Sequence, residues 1–151
     1  MRTADFQQLL LRSAVTALAC DGNIDQAEVD ALKHMAENEI YFLGYDHKEP
    51  FDTYLGHIRA HGRGAVEEYL AELEHAQLNS RQKLLLVEVL LRVMEADSQW
   101  AQNEKAFLHM AVGRMQLTLE DLIGSFPKHA VVLSGAHSAR FDDTFHSVLS
   151  A

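Results

Sequence analysis

The stretches ALACDGNIDQAEVDALKHMA, residues 17–36, and RVMEADSQWAQNEKAFLHMA, residues 92–111, are two copies of one design. With a shift of 76 positions, Asp21 falls on Asp97, Gln26 on Gln102, Glu28 on Glu104 and Leu32 on Leu108. Each copy is an apolar helix end, an acidic turn, then a new helix with a Glu near its start. Two such hairpins predict an all-α fold, a single bundle of about seven helices built around the repeats. They also predict that the two acidic turns lie near each other in space.

The rest of the chain is compatible with that frame. A length of 151 residues fits one domain with a real core. Apolar residues make up 48% and there are only two Pro, which favours folded helix over disorder. The net charge of −9 argues against nucleic-acid or anionic-membrane binding, both of which need clustered Lys and Arg. It suits cations or a basic protein partner. The single cysteine, Cys20, excludes a disulfide framework or a Cys-rich zinc site within the chain, and reads as a small packed residue at a helix end. The N-terminus lacks the apolar stretch of a signal peptide. The most apolar run, Leu84 to Met94, is broken by Glu88 and Arg92 and falls short of the ~20 residues that span a bilayer. A cytoplasmic protein with no direct membrane insertion is expected.

Periodicity places the helices. The first runs from about Ala4 to Cys20, with Phe6, Leu10, Ala14, Ala17 and Leu18 on one stripe. Asp25 caps the second, with Glu28 at its third position, and Val29, Leu32, Met35, Ala36, Ile40 and Leu43 face inward. The third starts near Pro50 with Phe51, Tyr54, Leu55 and Ile58 on one face, and Gly62 and Gly64 separate it from a fourth carrying Val66, Tyr69, Leu70 and Leu73. Asn79 and Gln82 cap the fifth. Its nearly continuous apolar surface predicts the most buried helix, with Glu88 and Arg92 paired along a polar edge. The sixth covers roughly Ala101 to Met115, and Thr118 and Asp121 cap a short seventh. These elements make a helical domain over 1–126. Residues 127–151 form a less regular tail, packed on the domain or flexible.

Chemistry is sparse. Asp21, Asn23, Asp25 and Glu28 alternate oxygen ligands along a tight loop, as hard cations such as Ca²⁺ or Mg²⁺ require. An EF-hand is rejected, because Gln26 stands at its glycine position and Leu32 at its bidentate Glu position. Helix capping and the helix dipole explain the same carboxylates without a metal, so both readings stand. The second turn offers Asp97 and Glu104 but has Ser98 and Ala101 where the first has Gly22 and Asp25. Trp100 reads as a packed cover over that hairpin. His57 and His61, at i and i+4, could share a metal, but no third ligand follows and solvated surface histidines are the simpler reading. No nucleophile motif and no phosphate-binding glycine loop occurs, so a non-catalytic role is expected.

The repeated turn resembles the tellurite-resistance TerB domain family, whose members carry Asp-Gly-x-(apolar)-x-x-x-Glu between apolar helices and repeat the unit near their end. Here Asp21-Gly22-Asn23-Ile24-Asp25-Gln26-Ala27-Glu28 matches it. Asp97 through Glu104 follows it with Ser98 in place of the glycine, and Met115 to Leu122 resembles the closing short helix. The likeness covers about residues 5–125. It implies a stress-response protein without an established reaction, and a divalent-cation site at acidic turn residues. The carry-over is to Asp21, Gly22, Glu28, Asp97 and Glu104. A ligand-free structural or adaptor bundle mediating protein–protein contact is the alternative.

Overall fold

A computed structural model describes residues 2–20, 24–95, 102–130 and 133. Its organising element is the first helix, α1 (Thr3–Leu18). Along α1 the bulky Phe6, Leu9, Leu10 and Leu11 give way to Ser13, Ala14, Val15, Thr16 and Ala17, and all of these are buried. Small side chains let neighbouring backbones approach from several sides, so helices α2 (Gln26–Asn38), α3 (Lys48–His61), α4 (Arg63–His75), α5 (Ser80–Glu95) and α6 (Gln102–Arg114) all pack on α1. A short α7 (Leu119–Ser125) and a 3₁₀ turn at Pro127–His129 follow. The described residues hold seven α-helices and no strand, the all-helical bundle that the periodicity predicts.

Buried polar groups on α1 are satisfied locally. Ser13 Oγ donates to Leu9 O at 2.7 Å and Thr16 Oγ1 to Arg12 O at 2.7 Å. Tyr69 of α4 donates its hydroxyl to Ser13 Oγ at 2.6 Å while its ring stacks on Phe107 of α6. Cys20 is buried and its thiol donates to Thr16 O, which agrees with a packing role.

The caps follow the sequence closely. Asp25 Oδ1 accepts from Glu28 N at 2.8 Å. Asn79 and Gln82 exchange side chain for backbone in both directions, Gln82 N to Asn79 Oδ1 at 2.8 Å and Asn79 N to Gln82 Oε1 at 3.0 Å, a complete capping box. Thr118 Oγ1 accepts from Asp121 N. Pro50 lies in the first turn of α3, where its missing N–H is no loss. Gly62, at φ +50°, lets α4 begin directly after α3 ends.

Three expectations are corrected. First, α1 rather than α5 is the most buried helix. Ten of the sixteen α1 residues are buried, against Leu86, Val87, Val89, Leu90, Leu91 and Met94 on α5. Apolar count favoured α5, but α1 owes its burial to small and hydroxylated residues that helices can crowd. Second, Ile40 and Leu43 do not face the core; each is 78% exposed. The extended backbone of Glu39 ends α2, and Ile40–Phe42 forms a 3₁₀ turn that buries Phe42 instead. Third, Arg92 pairs across the fold rather than along its helix. Its guanidinium reaches Glu39 at 2.6 Å and the Tyr41 hydroxyl at 2.6 Å. The tail beyond Leu133, the cover proposed for Trp100, and Asp21 and Asp97 lie outside the described residues.

The 3₁₀ turn is pinned from beneath. The buried Gln7 amide donates to Tyr41 O at 3.1 Å and Leu43 O at 3.0 Å. A Gln7→Leu variant keeps the volume but leaves both carbonyls without these donors. It is expected to lose about 1–3 kcal/mol in denaturant unfolding and to speed amide exchange at residues 41–45. Unchanged exchange there would show that Gln7 does not hold the turn.

Candidate functional site

Glu28 is the third residue of α2 and Glu104 the third residue of α6, so the repeat places one carboxylate in the first turn of each hairpin's second helix. That position is favourable for an anion, since the exposed N–H groups carry the positive end of the helix dipole. The fold brings the two together. Asp25, Glu28 and Glu104 line one cleft of about 290 Å³, with Ala17 and Leu18 of α1, Ala27, Ala31, Leu32 and Met35 of α2, and Val93 of α5. Three of the five residues expected to hold a cation therefore share a single concavity, although 76 positions separate Glu28 from Glu104. The other two, Asp21 and Asp97, are not among the described residues, and neither is their separation.

The carboxylates differ in setting. Asp25 is exposed and spends one oxygen on the α2 cap. Glu28 is half-buried. Glu104 is only 5% exposed although it lines the cleft. A carboxylate so far from water stays charged only where neighbouring groups compensate it, and the first turn of α6 is a position whose dipole favours the charged form. Among the described lining residues all the charged side chains are acidic.

The donors suit a hard cation, being carboxylate oxygens. Among the described residues, however, no three ligand-type side chains gather closely enough to hold a metal ion. Those residues alone do not build a Ca²⁺ or Mg²⁺ shell.

The paired histidines have a different arrangement. His57 and His61 have ring centroids 4.6 Å apart, and His57 Nε2 lies 2.8 Å from Glu68 Oε2 on α4. The His57 hydrogen bond holds the Glu68 carboxyl below its ordinary range. The imidazole thus ties α3 to α4 at the surface.

Sequence reading missed the apolar wall. Leu18, Met35 and Val93 read as core-stripe residues, and only the crossing of α1, α2 and α5 shows that they edge a cleft. A comparison of the chain with protein-family models, curated proteins and solved structures finds no match. No described helix is long and apolar enough to cross a membrane.

Proposed function

We propose that this chain is a non-catalytic, TerB-like domain of the stress-response and tellurite-resistance class, and that it binds a cation in the cleft between its two repeats. One observation carries the reading: Asp25 and Glu28 of the first repeat and Glu104 of the second line the same cleft. Capping alone accounts for each carboxylate separately. It does not require them to share a wall.

The family resemblance implies a divalent cation, and carboxylate oxygen donors suit Ca²⁺ and Mg²⁺. Weak binding is expected, with dissociation constants on the order of 10⁻⁴–10⁻³ M, as for open sites completed by water. Calorimetry on chelator-treated protein is the test. Glu28→Gln and Glu104→Gln should each weaken the heat clearly, and Asp25→Asn less, because its carboxylate is exposed and one oxygen is engaged in the cap. Neither heat nor a thermal shift with millimolar Ca²⁺, Mg²⁺ or Mn²⁺ would remove the metal form of the proposal. The tellurite role is tested by expression in a tellurite-sensitive host, where protection should be lost with the Glu28→Gln, Glu104→Gln double variant.

A further inference from the structure

The cleft has walls that a bare ion would not use. Its carboxylates occupy the first turns of α2 and α6, while Ala31, Leu32 and Met35 continue along α2 and Val93 closes from α5. At a rise of ~1.5 Å per residue, Met35 lies about 10 Å along the helix from Glu28. That is a strip for a long apolar stem ending in a positive charge, not a coordination sphere. The volume of about 290 Å³ lies at the small end of ligand sites. It is in scale with one long side chain.

We propose that the cleft receives a lysine or arginine side chain from a protein partner, with the cationic head at Glu28 and Glu104 and the stem along Ala31, Leu32 and Met35. This rests on the cleft being a cation site, as proposed above. Three features select this occupant. The described charges of the lining are all negative, which favours a cationic head. The apolar strip rewards the methylene stem that both residues carry. The net charge of −9 draws a basic surface toward the protein from a distance. A free diamine fits less well, because its second ammonium would fall against the apolar strip.

The test is a ¹⁵N-amide NMR titration of the full chain. The probes are Nα-acetyl-lysine-N-methylamide, its arginine and norleucine counterparts, 1,5-diaminopentane and, separately, Ca²⁺ and Mg²⁺. The lysine and arginine probes should shift the amides of Glu28, Ala31 and Met35 with dissociation constants on the order of millimolar. The norleucine probe, which has a stem but no charge, should bind at least about tenfold more weakly, the loss of one charge-assisted contact. Glu28→Gln should weaken the lysine probe by a similar factor.

Ala31→Phe provides a variant that leaves every charge in place. Ala31 is exposed on the cleft wall, so the ring should fill the strip and abolish binding without lowering the melting temperature. Equal binding of the norleucine probe, or full binding to Ala31→Phe, overturns the proposal. So does binding of the diamine without the lysine probe, which would make the site one for a free amine. If Ca²⁺ or Mg²⁺ shifts the cleft amides and neither basic probe does, the cation reading stands and this inference falls. If nothing shifts them, both fall.

Discussion

A Leu10→Asp variant is expected not to fold. Leu10 lies mid-way along α1 and is fully buried in the core that five other helices share. Aspartate there removes a large apolar side chain and puts an unpaired charge where water does not reach, which costs several kcal/mol beyond the lost packing. Leu10→Ala isolates the packing part and should cost about 2–5 kcal/mol. Native stabilities are about 5–15 kcal/mol, so the aspartate variant consumes most or all of the margin. Far-UV circular dichroism with a thermal melt is the measurement. A cooperative melt near the wild-type temperature would mean that α1 is not the hub of this fold. Ile40→Asp is the matched control: Ile40 is 78% exposed and the substitution should change stability by no more than about 0.5 kcal/mol.

Tyr69→Ala comes next in size, with an expected loss of about 3–5 kcal/mol. Tyr69 is among the largest fully buried side chains and stacks on Phe107, so its removal opens a cavity between α4 and α6. Tyr69→Phe separates the hydroxyl from the ring. It should cost about 1 kcal/mol near neutral pH, since Ser13 keeps its bond to Leu9 O and loses only an incoming donor. The difference depends on pH. Burial pushes the Tyr69 hydroxyl far above the ordinary value, and the Ser13 hydrogen bond offsets only part of that rise. In the unfolded chain tyrosine ionises near ~10, so above that pH the unfolded state loses a proton that the folded state keeps. Wild-type stability must therefore fall as pH rises past ~10. Tyr45, pushed up to about 12 mainly by burial, adds to the same fall. Tyr69→Phe lacks one of these groups, so its deficit relative to wild type should shrink between pH 9 and 11. A deficit that grows over that range would refute the assignment.

Much of this architecture is legible in the residues themselves, for identifiable reasons. Asp25, Asn79 and Thr118 cap their helices because a side-chain acceptor placed two or three residues ahead of an amide is a local relation. The equivalence of Glu28 and Glu104 is likewise a matter of spacing, and the fold preserves it. What periodicity cannot see is a change of backbone. Ile40 and Leu43 continue the apolar stripe of α2 on paper, but one extended residue at Glu39 turns them outward. Nor does apolar content rank helices by depth. Ser13, Ala14, Thr16 and Ala17 look modest beside the leucines of α5, yet their small size is what admits neighbours on every side. The Arg92 contacts and the apolar wall of the cleft are invisible for a third reason. They join helices distant in sequence, where no local rule relates the partners.

The central place of α1 also sets an order of events during synthesis. The helix that every major partner packs on is made before those partners. Its broad buried surface has no complete cover until α5 and α6 have left the ribosome. At ~5–20 residues per second, the interval between the end of α1 and the end of α5 is roughly 4–15 s. Through that time only α2, α3 and α4 are present to pack on α1, and the part of its apolar surface that α5 and α6 cover waits for them. Late completion of an early helix predicts that the yield of folded protein depends on the pace of translation across α5, measured as soluble yield from synonymous slow-codon variants of that segment.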